Sequence, residues 1–308
     1  MSEAAPVLVI AVAYKTPALV DDLVTSFTQD PVTGCSEETS PVHLVIVDNS
    51  PNPSGWLSRA PQGPIRYLHF AHNPGFVGGA REALTAVREN AGNRELSYTA
   101  VVLCNVDLTF DCGELLSVVE QAREHTGDTR WILAPDIVEA GRSYRTNPHI
   151  LERSGGFNRR RRDQVRQRFL IADIAFRQLY WLRRRYQQNP HADLPAFTKM
   201  YAAYGAYTVF GSGYFAAGGV FHEGPLFGEE YGFGEQAHVL GVPVLWMPQM
   251  VVRHEGEASV SASLNGYRQR HRWYVAADAF YQSWDASSIV GEMSGWFVEP
   301  DTSEGLCP

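Results

Sequence analysis

The feature that most constrains the fold is an alternation of short apolar runs with helical patterns through the N-terminal part of the chain. Val7 to Ala13 (VLVIAVA) form a continuous β-branched run, which is typical of a strand buried on both faces. Thr16 and Pro17 then supply an N-cap and a first-turn proline for a helix. Three further runs predict strands: His43–Asp48, Ile65–Phe70 and Tyr98–Cys104. Apolar residues at helical spacing predict the helices between and after them: Leu19, Leu23 and Phe27; Ala80, Ala83, Leu84 and Val87; Leu115, Val118, Val119 and Ala122.

Repeated β-loop-α units predict a parallel sheet with helices on both faces. In such sheets the ligand crevice lies beyond the carboxyl ends of the strands. Polar residues follow the four predicted strands at that end: Tyr14, Asp48, Asn73, Asn105 and Asp107. Their convergence favours one polar binding crevice. Each residue also has a structural explanation, because Asp48 to Ser50 could form an Asx-turn and Asp107 could cap the next helix.

Composition limits the classes of protein that remain. The 308 residues are 44% hydrophobic and 19% charged, which predicts a globular chain of one large or two modest domains. The apolar run from Pro6 to Tyr14 is far shorter than the roughly 20 residues of a membrane-spanning helix. No secretory signal is expected at the start, and the four cysteines lack CxxC spacing. We therefore expect reduced thiols in a cytoplasmic protein, with one or two disulfides as the alternative.

Charge is distributed unevenly along the chain. The net charge is -8, yet residues 142–185 hold 13 of the 26 basic residues and only three acids. Apolar residues recur at helical spacing within this Arg-rich segment, which predicts an amphipathic helix: Val165, Phe169, Ala172, Phe176, Leu179 and Leu182. Its cations could meet nucleic acid, anionic lipid or a phosphate-bearing ligand, or could be a solvated helix face.

A series of motifs between about Val7 and Ser259 carries a family resemblance. In order they are VAYKTP, VIVDNS, HNPGFVGGA, LCNVDL, FGEEYGFGEQAHVLG and MPQMVVRHEGEAS. The chain resembles family 2 glycosyltransferases, the inverting nucleotide-sugar transferases of the GT-A fold, and most resembles their bacterial rhamnosyltransferase-type branch. The resemblance implies an α/β fold: a Rossmann-like, mostly parallel sheet flanked by helices, with a helical acceptor-side insertion and a C-terminal helix.

Four segments follow from the motif positions. Residues 1–141 are expected to be the nucleotide-sugar-binding half and 142–205 the Arg-rich helical insertion. Residues 206–262 are expected to be the acceptor-binding and catalytic half. Residues 263–308 are predicted to be a helix, over Tyr267 to Phe280, followed by a tail.

The resemblance assigns the donor nucleotide to the first half. In the family the aspartate ending the second strand, here Asp48, accepts a hydrogen bond from the base. The aromatic residue after the first strand, here Tyr14, lies beside the base and ribose. The full donor set is Ala13, Tyr14, Asp48, Asn49, Asn73, Gly75, Phe76, Gly79, Asn105 and Val106. The donor base is left open among dTDP-, UDP- and GDP-linked sugars.

A divalent cation is also implied. LCNVDL resembles the family's DxD or NPD metal motif, with Asn105 in the first acidic position, which leaves Asp107 as the main ligand. Oxygen ligands suit Mg²⁺ or Mn²⁺ on a diphosphate. His254 matches the family's late histidine and is predicted to add a contact to the metal or the diphosphate, although a histidine after an apolar run is also often structural.

The resemblance places the catalytic base in the second half. In the family a glutamate-aspartate pair begins a motif that ends in a glycine twelve residues on, and the second acid of the pair deprotonates the acceptor hydroxyl. Glu229 and Glu230, followed by Gly241, have that spacing, so Glu230 is the predicted base and Glu229 the alternative. Acids on a solvated loop are the structural alternative. The sequence departs from the family pattern at three positions: Gly232 replaces an acid, Gln236 an arginine and Ala80 an asparagine.

These assignments predict an inverting transfer to a hydroxyl of a glycan, lipid-linked or small-molecule acceptor. Aromatic residues in Gly211 to Gly219, with Trp246, Trp273 and Tyr274, could stack on sugar rings or pack in the core. No nucleic-acid partner is expected, whereas peripheral membrane contact and a homodimer are left open. The rivals are a nucleotidyltransferase-like enzyme and a non-catalytic module that binds polyanions through the Arg-rich segment.

Overall fold

A computed structural model shows how these elements assemble. It describes residues 5–33, 39–53, 63–139, 146–153, 175, 179, 193–224, 228–255, 271–273, 275–277, 279–281 and 285–297. The described strands are β1 (Val7–Ala13), β2 (Val42–Asp48), β3 (Ile65–His69), β4 (Ala100–Asn105), β5 (Leu108–Thr109), β6 (Ile132–Glu139), β7 (Lys199–Met200), β8 (Tyr207–Gly211) and β9 (Val244–His254). The helices are α1 (Pro17–Gln29), α2 (Phe76–Asn90), α3 (Cys112–Thr126), α4 (Ser212–Ala216) and α5 (Glu229–Leu240).

The strands form one sheet in the order β3-β2-β1-β4-β8-β6-β9-β5, and β7 pairs with β9. Strands β1 to β4, β6 and β9 run in one direction, whereas β5, β7 and β8 run in the other. The predicted α/β architecture with a mostly parallel sheet is therefore confirmed. The antiparallel β8, which separates β4 from β6, was not predicted.

Each face of the sheet packs against its own helices. Alternate residues of β1 point to opposite faces, so Val7 and Val9 join one core and Leu8 and Ile10 the other. Helices α1 and α3 cover the first face, and α2 and α5 cover the second. Both faces are buried, which explains the continuous apolar run of β1.

The helix boundaries decide two of the sequence interpretations. Asp111 is the N-cap of α3 and accepts a hydrogen bond from the Glu114 amide at 2.8 Å, so Asp107 is not the cap of this helix. Pro17 occupies the first turn of α1 as predicted. Thr16 is the N-cap residue of α1 as predicted, although its side chain makes no capping hydrogen bond within the described residues.

The remaining predictions are tested only in part. Within the Arg-rich segment, Ala175 and Leu179 are helical, and Leu179 is 63% exposed. Most of the predicted amphipathic helix lies outside the described residues. Described residues between 271 and 281 are helical, in agreement with the predicted C-terminal helix. No described helix is long and apolar enough to span a membrane. Cys104 and Cys112 are buried free thiols, and the other two cysteines lie outside the described residues.

Candidate active site

The sheet brings the predicted polar residues to one edge. In the parallel register Ala13 lies beside Asp48 and Val12 beside Asn105 at the carboxyl ends of β1, β2 and β4. Strands β6 and β9 end at the same edge with Glu139 beside His254. Five strand ends therefore border the crevice, and two of them were not used in the sequence argument.

A tight turn closes the end of β2. The Asp48 carboxylate accepts a hydrogen bond from the Ser50 amide at 2.9 Å, and the Ser50 hydroxyl accepts one from the Lys15 amide at 2.8 Å. His69 lies 2.8 Å from the Ser50 carbonyl through its Nε2. Asp48 is only 1% exposed. The Asx-turn of the structural alternative is therefore present, and contact between Asp48 and a nucleobase stays a prediction.

The glycine loop is held by the same turn. Asn49 Nδ2 donates a hydrogen bond to the Gly75 carbonyl at 2.7 Å, and its backbone amide donates to the Ala13 carbonyl at 2.9 Å. A Cβ at Gly79 would lie 2.9 Å from Asn49 Nδ2, so this contact requires glycine. Asn73 adopts a positive φ of 48° and accepts a hydrogen bond from the Gly75 amide at 3.2 Å. Asn49 thus links the glycine loop to the carboxyl end of β1.

The other residues predicted to bind the donor differ in burial, and some of their side chains belong to the core. Phe76 begins α2 and packs with the buried residues on the α2 face, and Val106 packs in the core on the α1 face. Their side chains therefore contribute to the core. Tyr14 is partly exposed, and the Lys15 ammonium lies 5.0 Å from the centre of its ring. The backbone amide of Asn105 donates to the Ala206 carbonyl at 3.0 Å.

The predicted metal residues do converge. His254 Nε2 lies 3.2 Å from Asp107 Oδ1, and the side chains are 6% and 9% exposed. The pairing of β5 with β9 positions them, because Leu108 lies opposite His254 and the Glu255 amide donates to the Asp107 carbonyl. Glu139 Oε1 lies 3.9 Å from His254 Nδ1 on the other side of the ring. We refer to Asp107, Glu139 and His254 as the Asp–Glu–His cluster.

Within this cluster the Asp107–His254 pair has the spacing of two ligands of one divalent cation. Among the described residues neither ring nitrogen of His254 has a hydrogen-bond partner, and leaving such a buried group unsatisfied typically costs about 1–3 kcal/mol. Neighbouring ligands of an octahedral Mg²⁺ are about 3 Å apart, close to the observed Asp107–His254 separation. The described residues include no group of three acidic, histidine or cysteine side chains arranged to hold a metal. A cation here would therefore need further oxygens from a diphosphate or water.

A short loop connects this cluster to α5. The Tyr204 hydroxyl donates to Glu139 Oε1 at 3.0 Å, and the Ala206 carbonyl receives the Asn105 amide. Between them, a Cβ at Gly205 would lie 2.9 Å from Glu229 Oε1. Residues 204–206 therefore join the end of β4, the end of β6 and the start of α5.

Glu229 and Glu230 form the first turn of α5 and differ in burial. Glu229 is buried against Gly205, whereas Glu230 is partly exposed and lines a small cavity with Gly205, Thr208 and Phe233. The alternative of a solvated loop is therefore wrong. A Cβ at Gly228 would lie 2.9 Å from the Tyr281 ring, so this tyrosine packs at the start of α5. Burial raises the pKa of Tyr281, and the negative charges of the two glutamates raise it further.

Two departures from the family pattern have structural reasons. A Cβ at Gly232 would overlap the His222 ring, so His222 occupies the space that an acidic side chain would need. Gln236 Oε1 is buried and accepts hydrogen bonds from the Tyr214 hydroxyl and the Val220 amide, both at 2.9 Å. Burial lowers the pKa of His222 to about 4.

For the aromatic residues that could stack on sugars or pack in the core, the structure favours the core. Tyr214 and Phe215 belong to α4 and are completely buried, and Trp246 is buried with its Nε1 donating to Asp136 Oδ1 at 3.0 Å. These rings pack in the core. Trp273 is partly exposed, and Tyr274 lies outside the described residues.

Sequence reasoning missed Glu139, Tyr204 and His222. Glu139 ends an apolar strand, as Asp48 does, so the same rule applied to residues 132–139 would have found it. Tyr204 and His222 lie in loops without a recognisable spacing, and no sequence signal pointed to them.

Comparison with known proteins gives a result at the level of the fold. Neither a protein-family model nor a curated protein sequence matches the chain. Among solved structures, GalNAc-T7 with UDP, GalNAc and Mn²⁺ matches 93% of the chain at 10% identity and a TM-score of 0.53. The mannosyltransferase PcManGT from Pyrobaculum calidifontis, in complex with GDP-Man and Mn²⁺, matches 91% at 11% identity and a TM-score of 0.50.

The chain spans 52% and 65% of the lengths of these two structures. At this level of identity the likeness concerns the arrangement of strands and helices. It extends over more than nine-tenths of the chain, and the mixed, mostly parallel sheet agrees with the expectation from the motifs. The protein therefore has a GT-A-type fold.

Proposed function

We propose that the protein transfers a sugar from a nucleoside-diphosphate sugar to an acceptor hydroxyl, with inversion at the anomeric carbon. The observation that carries this proposal is the Asp107–His254 pair, buried at the carboxyl edge of a GT-A-type sheet with unsatisfied ring nitrogens. The two solved structures with the same fold contain UDP with Mn²⁺ and GDP-Man with Mn²⁺.

The donor occupies the crevice between the end of β1 and the start of α2 in this proposal. Gly75 lies at the N-terminus of a 15-residue helix, where backbone amides and the helix dipole favour a diphosphate. Asn49 holds the Gly75 carbonyl, so the loop is already ordered before the donor arrives. Tyr14 supplies an aromatic surface for the base or ribose, and Asp48 supplies the acceptor for a base edge. The base is dTDP-, UDP- or GDP-derived.

Asp107 and His254 would hold Mg²⁺ or Mn²⁺ against the diphosphate. When bound, the cation acts as a Lewis acid that stabilises charge on the leaving nucleoside diphosphate. The protein would contribute two ligands to the cation, one carboxylate oxygen of Asp107 and one imidazole nitrogen of His254, which lie 3.2 Å apart. The low exposure of both groups would strengthen their electrostatic interaction with the cation.

Glu230 is the proposed general base. Its carboxylate accepts the proton of the acceptor hydroxyl while that oxygen bonds to the anomeric carbon. The bond from this carbon to the diphosphate oxygen breaks on the opposite face, and the nucleoside diphosphate leaves. Glu230 fits this role better than Glu229 because it is partly exposed, whereas Glu229 is buried against Gly205. A positioned base contributes about 10²- to 10⁴-fold.

The proposal is tested by turnover of a panel of nucleotide sugars. The full chain is incubated with UDP-, GDP- and dTDP-linked hexoses, Mn²⁺ or Mg²⁺, and simple glycoside acceptors, and release of the nucleoside diphosphate is measured. We expect metal-dependent release with one base, and product NMR should show an anomeric configuration opposite to that of the donor. Absence of release across the panel, or release that is equal in EDTA, would contradict the proposal.

A further inference from the structure

We infer that Glu139 is a positioning residue which, together with Tyr204, orients His254 so that its Nε2 faces the cation site. The inference rests on the proposed function for the identity of the ligand, because it assigns to Glu139 a role in holding a metal ligand. Glu139 lies outside every motif on which the family resemblance depends.

The first argument is the placement of two carboxylates on opposite sides of one ring. Asp107 Oδ1 approaches Nε2 at 3.2 Å, and Glu139 Oε1 approaches Nδ1 at 3.9 Å. A neutral imidazole carries one proton, so one nitrogen donates and the other offers a lone pair. A proton on Nδ1 directed at Glu139 leaves the Nε2 lone pair directed at the Asp107 side.

The second argument is the way in which Glu139 is itself held. Its Oε1 accepts the Tyr204 hydroxyl at 3.0 Å, and the side chain is buried. Tyr204 is fixed in turn, because its amide donates to Asn147 Oδ1 at 2.9 Å and Asn147 Nδ2 donates to the Pro135 carbonyl of β6 at 2.7 Å. The Tyr204 ring also packs edge-on against the His254 ring. The carboxylate therefore has a defined position beside the histidine.

The third argument is strand register. Glu139 and His254 are the last residues of parallel neighbours β6 and β9 and lie directly beside each other. The pairing fixes their backbones, so a ring movement of about 1 Å brings Nδ1 and the carboxylate to hydrogen-bond distance. A histidine ligand that donates its other nitrogen to a carboxylate is a recurrent arrangement in metal sites, and removing the partner typically weakens metal binding by about 10–100-fold.

The test measures Mn²⁺ affinity rather than turnover. Mn²⁺ is titrated into the full chain with UDP, GDP or dTDP, and thermal stabilisation gives the apparent Kd. We expect Glu139→Ala to raise this Kd by about 10- to 100-fold and Glu139→Gln, which keeps an oxygen acceptor, by less than about threefold. Tyr204→Phe should lie between them. The control is Asp136→Asn on the same strand, whose carboxylate accepts the Trp246 indole and should leave the Mn²⁺ Kd unchanged.

Two outcomes would overturn the inference. One is a wild-type Mn²⁺ Kd in Glu139→Ala, and the other is a Glu139→Gln variant as weak as Glu139→Ala. If the unmodified chain shows no Mn²⁺ dependence with any of the three nucleotides, the proposed function fails.

A second readout then still tests the inference. ¹⁵N NMR of the His254 ring at pH 8, identified by its loss in His254→Asn, is measured in the Asp107→Ala background, where the nearer carboxylate no longer competes for the ring proton. The ring should show the Nδ1–H tautomer there and a shift away from it when Glu139→Ala is added. An Nε2–H tautomer in Asp107→Ala would contradict the assignment.

Discussion

The turn at the end of β2 and the Asp–Glu–His cluster lie at the same edge of the sheet and use their polar groups differently. In the turn, Asp48 and Asn49 hydrogen-bond to backbone groups of Ser50 and Gly75. In the cluster, the ring nitrogens of His254 face carboxylates without hydrogen bonds to the described residues. Asp48 and Asn49 Nδ2 thus have backbone partners, although Asn49 Oδ1 is buried without one among the described residues, whereas in the cluster both ring nitrogens of His254 lack a hydrogen-bond partner. We therefore expect changes in the turn to affect stability and donor binding, and changes in the cluster to affect metal binding and turnover.

The largest expected effect comes from removing the charge of the main metal ligand. Asp107→Asn should lower turnover by at least about 10³-fold, since a Lewis-acid cation supplies several kcal/mol and each 1.36 kcal/mol is about tenfold. The matched control is Asp111→Asn, which keeps the N-cap of α3 and should retain activity. Initial rates of nucleoside diphosphate release at saturating Mn²⁺ measure both. Equal losses in the two variants would remove the distinction between the cluster and its surroundings.

The next effect distinguishes the two acids of α5. Glu230→Gln should lower turnover by at least about 100-fold while donor binding survives, because a general base acts only in the chemical step. Glu229→Gln should have a smaller effect on rate and a larger effect on stability, since Glu229 packs against Gly205. Single-turnover rates and donor Kd values separate these outcomes. A reversed order would assign the base to Glu229, and Glu235→Gln on the same helix serves as the control.

A third prediction concerns the pH dependence of stability and tests whether the buried His222 is neutral in the folded protein. Burial lowers the pKa of His222 to about 4, below the ordinary value of about 6.5. Between these values the unfolded chain binds a proton that the folded chain does not, so stability is lost as pH falls through this window. From pH 7 to pH 5 this amounts to about 2 kcal/mol.

Urea unfolding of the unmodified chain and of His222→Gln at both pH values measures this contribution. The unmodified chain should lose about 2 kcal/mol more than the variant over that interval. Identical losses in the two proteins would show that His222 does not stay neutral in the folded state.

The smallest effect is expected on the donor side. Asn73 adopts a positive φ and is exposed, so Asn73→Ala should destabilise by about 1 kcal/mol, whereas Asn73→Gly should be nearly neutral. Thermal unfolding without ligand measures both. A loss of Mn²⁺ affinity in Asn73→Ala equal to that of Asp107→Asn would contradict the division between the donor side and the cluster.

Local sequence signals predicted part of the fold and of the candidate site, whereas packing between distant segments determined the rest. The strands and helices around β1 to β4 were predictable because their apolar residues are consecutive and their turns carry local signals. Asp107 and His254 were predictable from motifs, and the structure places them together. The antiparallel β8 and the burial of Tyr214 and Trp246 depend on packing between distant segments, which periodicity does not encode.

The same limit applies to the residues that were missed. Glu139 reaches His254 through strand register, although 115 positions separate the two in the chain. His222 explains why position 232 is glycine only once the α5 packing is known. Motifs indicate which residues carry chemistry, whereas the groups that orient them are set by tertiary contacts.

The most direct measurement of the central claim is thermal stabilisation by UDP, GDP, dTDP and CDP, each with Mn²⁺, Mg²⁺ or EDTA, for the unmodified chain, Asp107→Asn and Asp111→Asn. A ligand at 100 times its Kd stabilises the folded state by about 2.7 kcal/mol. We predict that one nucleotide stabilises the unmodified chain and Asp111→Asn only with a divalent cation, and that Asp107→Asn loses this effect. Equal stabilisation in EDTA, or no stabilisation by any nucleotide, would contradict a metal-dependent nucleotide site at the Asp–Glu–His cluster.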